Sequence, residues 1–235
     1  GTLRESGLER VVTMRLDDMV DGECRYGFML NEKAGILDDL VVYRITADQW
    51  MLVVNAGTIA QDEKNLRANL AATCRLENIS DKTAKLDVQG PLSRKVLEDI
   101  VGRDLRRLAY YRFSYIHLLG EHAIVSRTGY TGELGYEIYI DVSKAQELWD
   151  LILKNPLVKP AGLGARDTLR LEMCYPLYGQ DIDETRNPLE AGLGRFVYFG
   201  KEFIGSKTLM DVFHAGPRRR MAFFKTDSRR APRHG

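Results

Sequence analysis

Three early segments of the chain alternate between larger apolar side chains and smaller or polar ones with a period of two. That spacing is typical of β-strands whose two faces meet different surroundings. The segments cover residues 25–30, 37–45 and 49–55, and they are separated by the short links 31–35 and 46–48. Links of this length join antiparallel neighbours in hairpins. The chain therefore opens with an antiparallel meander, and the strand faces decide which of its side chains can meet.

Helices and further strands follow the meander. A helix is predicted at about 58–72, with Ile59, Leu66 and Leu70 inward and many of its charged residues outward. Further strands are predicted at 85–89, 111–119, 122–127 and 134–141, and further helices from Gly90-Pro91 (with an apolar stripe of Leu92, Val96, Leu97 and Ile100), at 143–153 and at 164–173. Hairpin strands with interspersed helices indicate an α+β fold of mostly antiparallel sheets with flanking helices.

Composition and charge exclude several classes of function. The net charge of +1 creates no field that favours nucleic acid or an anionic membrane. The three cysteines, Cys24, Cys74 and Cys174, are too few and too far apart for a disulfide framework or a zinc site. The apolar runs are too short to span a bilayer. We expect no metal, no nucleic acid or membrane partner, a reducing compartment, and a solvated basic tail at 229–235.

Asp39 is the most informative single position. Strand alternation predicts that Asp38 points to the opposite face, and that Asp39 shares its own face with Leu37, Val41, Tyr43 and Ile45. A carboxylate on an apolar strand face needs a hydrogen-bond partner or a raised pKa. An acidic residue near the start of a strand also commonly satisfies a turn, so both interpretations stay open at this point.

Three further features suit a planar, polar ligand. The turn at 128–133 is rich in glycine, which lets the backbone approach a ligand, and it carries Tyr130 at its crest, although a plain tight turn explains it equally well. Glu137 suits the donor–donor edge of an amino-pyrimidine ring, although by itself such a residue is more often a member of a cross-strand ion pair. Arg166 begins a helix and offers a planar fork to a carboxylate or a ring carbonyl, or else a surface pair with Glu172.

Several short motifs occur together in the order of one family. They are 31–40 (NEKAGILDDL), 53–56 (VVNA), 89–91 (QGP), 127–133 (RTGYTGE), 161–167 (AGLGARD), 169–172 (LRLE) and 178–184 (YGQDIDE). Over residues 11–213 this ordered set resembles the aminomethyltransferase of the glycine cleavage system, its T-protein.

The resemblance implies a three-lobed α+β protein with tetrahydrofolate held between the lobes. Residues 1–79 together with 166–212 would form a folate-binding lobe, 80–165 a second α+β lobe, and 213–235 the start of a truncated C-terminal barrel. The family also usually has more chain before the first strand seen here. The implied reaction moves a methylene carbon from an aminomethyl group on a lipoylated carrier, the H-protein, to tetrahydrofolate and releases ammonia.

The resemblance also assigns roles to individual residues. Asp39 matches the catalytic aspartate. The positions that match folate-binding or pocket-lining residues are Glu137, Arg166, Tyr26, Val41, Tyr43, Asn55, Tyr111 and Tyr130. Two positions depart from the family pattern: Arg195 stands where an aromatic residue is common, and Leu134 stands where an aspartate is common.

Two other functions remain as alternatives. A folate-dependent demethylase or the folate domain of an amine dehydrogenase would use the same scaffold with a different donor. A non-catalytic folate-binding protein of iron–sulfur assembly would carry a Lys-Gly-Cys segment, whereas Cys174 here follows Glu172 and Met173. Retention of Asp39 favours an enzyme. The expected compartment is the cytoplasm of a bacterium or the mitochondrial matrix of a eukaryote.

Overall fold

Two antiparallel sheets with helices packed around them make up the structure, a computed structural model that describes residues 1–227. The strands are β1 (Glu23–Leu30), β2 (Ile36–Arg44), β3 (Trp50–Val53), β4 (Thr83–Gln89), β5 (Phe113–Leu118), β6 (Glu121–Ser126) and β7 (Gly135–Asp141). The α-helices are α1 (Leu3–Ser6), α2 (Leu8–Val11), α3 (Ile59–Asn69), α4 (Ser93–Val101), α5 (Ala145–Leu153), α6 (Leu163–Glu172) and α7 (Ser206–Ala215). The predicted α+β class with mostly antiparallel sheets is confirmed.

The first sheet has the order β1-β2-β3, which is the predicted meander. Residues that face each other across an antiparallel pair share a face of the sheet. Tyr26 lies opposite Val41, and Phe28 lies opposite Asp39. Asp39 and Val41 therefore lie on the same face of the sheet, as alternation predicted, and Tyr26 and Phe28 lie on that face with them.

A β-bulge interrupts the pairing of β1 with β2. The register shifts between Met29 and Leu30, so that Leu30 pairs with Ile36. Leu37 becomes the extra residue and packs on the opposite side of the sheet, against the core that contains Leu40. The prediction that Leu37 shares the face of Asp39 was wrong, because simple alternation takes no account of an inserted residue.

Apolar cores cover both faces of the first sheet. One face packs on α2, α3 and the segment before β1, through Leu8, Val11, Val12, Met14, Leu16, Met19, Met29, Leu40, Val42 and Leu66. The other face packs on the segment that follows α6, through Phe28, Leu30, Ala34, Ile36, Ile182, Ala191, Val197, Phe203 and Leu209. Burial on both faces is what makes a polar side chain in β2 costly unless it is paired.

The second sheet has the order β4-β7-β6-β5 and packs against α4 and α5. Its core contains Val96 and Leu97 of α4 and Leu148 and Ile152 of α5. Leu92 was predicted to join this stripe but is 50% exposed, because α4 begins one residue later and Leu92 occupies its N-cap. That part of the prediction was wrong.

The two sheets meet through aromatic side chains. Tyr43 of β2 is fully buried, and its hydroxyl forms hydrogen bonds with the hydroxyls of Ser126 (3.1 Å) and Tyr139 (3.0 Å) from the second sheet. The backbone adds a link, since the Cys24 N–H donates to the carbonyl of Tyr111 (2.9 Å). Tyr111 has a φ of +59°, a conformation that costs a non-glycine residue energy and that is maintained only by its surroundings.

The predicted division into lobes stays a prediction. The segment after α6 does pack on the first sheet, while α7 continues to Ala215, beyond the predicted start of a barrel at 213. The end of that segment, with the basic tail at 229–235, lies outside the described residues. Among residues 1–227, no helix has the length and apolar character that crossing a membrane requires.

We expect Tyr43→Phe to destabilise the protein by about 1–3 kcal/mol, because the hydroxyls of Ser126 and Tyr139 each lose a buried partner. Urea unfolding would measure the change. Tyr115→Phe, at a half-exposed site on β5, is the control and should stay within about 0.5 kcal/mol. Equal stability of Tyr43→Phe and Tyr115→Phe would show that the link between the sheets is apolar only.

Candidate functional site

Asp39 receives hydrogen bonds on both of its carboxylate oxygens. The Tyr26 hydroxyl donates to Oδ2 (2.9 Å) and the Asn55 side-chain amide donates to Oδ1 (2.8 Å). Burial, and after it the charge of Asp38, raises the pKa of Asp39 to about 6 against the opposing effect of the two donors. The result is a carboxylate that is ionised at neutral pH and held in one orientation.

Asn55 also binds the second aspartate of β2. Its backbone N–H donates to Asp38 Oδ2 (3.0 Å) and its side-chain amide donates to Asp38 Oδ1 (2.8 Å). Asp38 is 0% exposed. The prediction that Asp38 points away from Asp39 holds, but the sequence did not indicate that one asparagine joins the two carboxylates.

Aromatic rings surround Tyr26. Its ring lies edge-on to Phe28 (5.4 Å between centroids) and to Phe196 (4.8 Å). Although Arg195 stands where an aromatic residue is common, Phe196 follows it directly and supplies an aromatic ring beside Tyr26. The Arg195 guanidinium lies 4.6 Å from the Phe196 ring centroid. The departure at Arg195 therefore changes the charge beside the site rather than removing its aromatic wall.

Glu137 is the second buried acid of the site, and it lies on the second sheet. Lys85 Nζ lies 2.5 Å from Oε1, and the hydroxyls of Thr128 (2.5 Å) and Tyr139 (3.1 Å) donate to Oε2. Burial opposes ionisation, but the Lys85 ion pair and the hydrogen bonds outweigh it and hold the pKa of Glu137 below its usual value. Glu137 is a fixed negative charge, and the cross-strand ion pair considered from the sequence is present.

Asp87 connects Glu137 to Arg166. Asp87 lies opposite Glu137 in the pairing of β4 with β7, so two acids face each other across the strands. Burial, together with the charge of Glu137, raises the pKa of Asp87 to about 6, although Lys85 opposes the shift. Arg166 Nη1 lies 3.4 Å from Asp87 Oδ2. The surface pair of Arg166 with Glu172 is not what forms, because the guanidinium turns towards the second sheet.

Tyr130 lies beneath the same guanidinium. The Arg166 guanidinium carbon is 5.0 Å from the Tyr130 ring centroid, and the ring stacks on Tyr175 at 5.7 Å. The Tyr130 hydroxyl donates to the carbonyl of Pro176. The crest of the glycine-rich turn is thus held against the segment that follows α6, with one cationic edge.

The buried arginine of α6 is Arg170, which the sequence did not single out. Its side chain is 3% exposed, and it binds Asp167 (2.7 Å), Asp181 (2.5 Å) and the carbonyl of Tyr175 (3.1 Å). These contacts fix the chain after α6 against the helix. Arg170 therefore sets the position of Tyr175 and, through it, of Tyr130.

The structure brings the predicted residues into one region between the sheets. Tyr111 and Tyr130 lie close enough to Tyr26 to raise its pKa further, after burial and Asp39. The charge of Glu137 acts on Tyr43 and Tyr111. Val41 packs with Tyr43 at the interface between the sheets.

A cavity of about 250 Å³ opens beside the glycine-rich turn. It is lined by Tyr110, Arg127, Thr128, Gly129, Gly132, Glu133, Leu134, Gly135 and Tyr175. Neither Asp39 nor Glu137 lines it, although Thr128, which donates to Glu137, does. The site therefore has two polar centres, with Asp39 on the first sheet and Glu137 with its cations on the second, and tyrosine rings between them. Such a site suits a flat ligand on which positive charge develops near Asp39.

Comparison with known proteins shows which family the chain resembles. Residues 1–201 match the family described as the GCVT N-terminal domain. An aminomethyltransferase of Halothermothrix orenii is 44% identical over 97% of this chain and 65% of its own length. An aminomethyltransferase of Caldanaerobacter subterraneus subsp. tengcongensis is 42% identical over 97% of this chain and 63% of its own length.

A solved structure shares the fold. The crystal structure of the glycine cleavage system aminomethyltransferase T from Bartonella henselae superposes with a TM-score of 0.80, at 32% identity, over 89% of this chain and 58% of that one. The chain thus spans less than two thirds of the length of these relatives. The family match and these likenesses confirm the resemblance found in the motifs, and the chain belongs to the GCVT N-terminal domain family.

Proposed function

We propose that the protein is an aminomethyltransferase that moves the one-carbon unit of an aminomethyl group to tetrahydrofolate and releases ammonia. The observation that carries the proposal is the buried Asp39 carboxylate, held by Tyr26 and Asn55 at the face that bears the other tyrosines. The relatives are named aminomethyltransferases, and the Bartonella henselae protein belongs to a glycine cleavage system. The proposed partner is therefore a lipoylated carrier protein, and the bacterial relatives favour a cytoplasmic location.

The residues between the sheets fit tetrahydrofolate. The rings of Tyr26, Tyr111 and Tyr130 offer flat apolar surface to a pterin or to the ring that follows it. Glu137 accepts three contacts, and its two oxygens together offer about four lone-pair sites, so it can accept a further hydrogen bond from a ring amine. The Arg166 side chain is 42% exposed, so its guanidinium, while paired with Asp87, can also face a carbonyl or a carboxylate of the ligand.

Asp39 would act by charge and position. Bound tetrahydrofolate supplies the ring nitrogen that takes up the one-carbon unit. The Asp39 carboxylate stabilises positive charge that develops beside it, and the surrounding apolar groups make that interaction stronger than in water. Tyr26 and Asn55 fix the orientation of the carboxylate in advance, so that little reorganisation is needed during the reaction.

The donor separates this function from its alternatives. A demethylase or an amine dehydrogenase would use an N-methyl or amine donor, and an accessory protein would bind folate without turnover. The two relatives from Halothermothrix orenii and Caldanaerobacter subterraneus are named aminomethyltransferases, which favours the aminomethyl donor. Turnover by the full-length protein with a lipoylated carrier, followed as ammonia release that depends on tetrahydrofolate, tests the proposal. Turnover with an N-methyl donor alone would contradict it.

Glu137→Gln should weaken binding of tetrahydrofolate. The change keeps the shape of the side chain but replaces an acceptor oxygen with a donor amide, which faces the donor edge of the ring. Binding stabilises the native state, so tetrahydrofolate should raise the Tm of the wild type by several degrees and that of the variant by less. The lost binding energy should be about 1.5–3 kcal/mol.

The control for this measurement is Glu147→Gln, an exposed acid on α5 that pairs with Lys144. Tetrahydrofolate should raise its Tm as much as that of the wild type. The same rise in Glu137→Gln would remove Glu137 from the ligand site.

Asp39→Asn should lower the rate of transfer by roughly 10²–10³ with little change in folate affinity, since the charge is lost but the size is kept. The pH profile should change as well. Because the pKa of Asp39 is raised to about 6, the wild-type rate should fall as the pH drops below that value and the carboxylate gains a proton. The variant should lack this acid limb, and kcat measured against pH would show it.

Asp38 is unsuitable as a control, since it is buried and shares Asn55 with Asp39. Asp99→Asn, at an exposed position on α4, should keep its rate within about threefold, as surface changes generally do. Near-normal turnover in Asp39→Asn would end the proposed role of Asp39 and leave folate binding to be judged by Glu137.

A further inference from the structure

Asp62 is a buried acid that the proposed reaction does not use. It lies in the first turn of α3 and is 1% exposed. Neither of its carboxylate oxygens receives a hydrogen bond from a residue within 1–227. The nearby Thr58 hydroxyl donates to the carbonyl of Asn55 instead (3.0 Å). A buried carboxylate without a donor is costly, so this group calls for an explanation.

Asp62 lies on the side of the first sheet that carries Asp38 of β2. Helix α3 packs on that face through Leu66, and the Asn65 amide contacts the sulfur of Met29 (3.7 Å), the cross-strand partner of Asp38. The charge of Asp38 acts on Asp62 at this position.

Asp38 is 0% exposed, and both of its oxygens accept from Asn55. Two neighbouring carboxylates that are both buried, such as Asp38 and Asp62, cannot both remain charged, so the pair holds one proton. Asn55 stabilises the ionised form of Asp38 with two hydrogen bonds, whereas the Thr58 hydroxyl beside Asp62 donates to the Asn55 carbonyl. The proton therefore belongs to Asp62.

The groups around the pair favour the same state. Asp38 lies on the same side of β2 as Asp62, the charge of Asp39 acts from the opposite face of that strand, and Tyr26 binds Asp39 there from β1. Tyr178 is close enough to respond to the charge of Asp62, and Glu184 reaches the same helix through Gln61 (2.9 Å). The charged groups among these neighbours are the acids Asp38, Asp39 and Glu184. Burial first, and then Asp38, raises the pKa of Asp62 to about 7.

We propose that Asp62 is a positioning residue whose protonated carboxyl donates to Asp38 and so fixes Asn55 against Asp39. The chain of contacts runs from the Asp62 proton to Asp38, from Asp38 to the Asn55 amide, and from that amide to Asp39. It is not a cation site, since residues 1–227 contain no group of three or more acids, histidines or cysteines placed to hold a metal ion. The effect of Asp62 on turnover rests on the proposed role of Asp39. The proton shared between Asp62 and Asp38 does not depend on that role.

The shared proton makes stability depend on pH. Asp62 holds its proton up to about pH 7 in the folded protein and only to about 3.8 when unfolded. The folded state therefore binds more protons in this range, and the stabilising proton is lost as the pH rises through about 7. Above that pH, repulsion between Asp38 and Asp62 should loosen Asn55.

Asp62→Asn is the test, because its amide donates to Asp38 at every pH. The Tm of the variant minus that of the wild type should increase from pH 5 to pH 8 by at least roughly 2 °C. The wild type should show a protonated-carboxyl infrared band that disappears between pH 6 and pH 8 and is missing from Asp62→Asn. Asp99→Asn, exposed on α4, should follow the wild type in both measurements.

Turnover separates positioning from simple support of the fold. At pH 8 Asp62→Asn should match or exceed the wild-type kcat. Asp62→Leu, which has no donor, should lower kcat at least about fivefold with KM nearly unchanged, as expected for a group that acts in the transition state. A constant Tm difference between pH 5 and pH 8, or an infrared band unchanged in Asp62→Asn, would overturn the proposal even if the transferase reaction is confirmed.

Discussion

The site depends on one asparagine that holds an acid on each face of a buried strand. Asn55 donates its backbone N–H to Asp38 and its side-chain amide to both Asp38 and Asp39. Hydrogen bonds to charged groups contribute about 1.5–3 kcal/mol each, and losing them leaves a buried charge without a partner. Adjacent residues of a strand point in opposite directions, so a residue at the end of the next strand is needed to reach both. Asn55, two residues after the end of β3, is that residue.

In the second sheet, the buried acids are stabilised by cationic side chains instead of by an asparagine. Glu137 and Asp87 face each other across β7 and β4, and Lys85 and Arg166 supply the opposite charge. The pKa of Asp39, which has no cationic partner among residues 1–227, is therefore raised by burial, while the pKa of Glu137, which pairs with Lys85, is lowered. Tyr43 joins the two sheets between these two polar centres. The link through Tyr43 sets how far apart the centres lie.

Strand alternation predicted much of this arrangement. It predicted the meander and the common face of Asp39, Val41 and Tyr43, because these residues lie in regular stretches of strand. It failed at Leu37, where the bulge adds a residue.

The helices were harder to interpret. Asp62 was not singled out among the charged residues of α3, yet it follows Thr58 and precedes Leu66 by one helical turn each, on the buried side. Arg170 was not singled out either, and its partners Asp181 and Tyr175 come from the chain after α6. Such burial depends on contacts that are distant in sequence, and local periodicity contains no information about them.

The central claim is that Asp39 is a buried carboxylate with a raised pKa, ready to act by charge. Carbon-13 NMR of the aspartate carboxyl groups, titrated with and without the change Asp39→Asn, measures this directly. The account predicts a resonance that titrates near pH 6 in the wild type and is missing from the variant, against about 3.9 for an unperturbed aspartate. A resonance of Asp39 that titrates at pH 4 or below would show that the carboxyl is solvated, and the account of the site would fail.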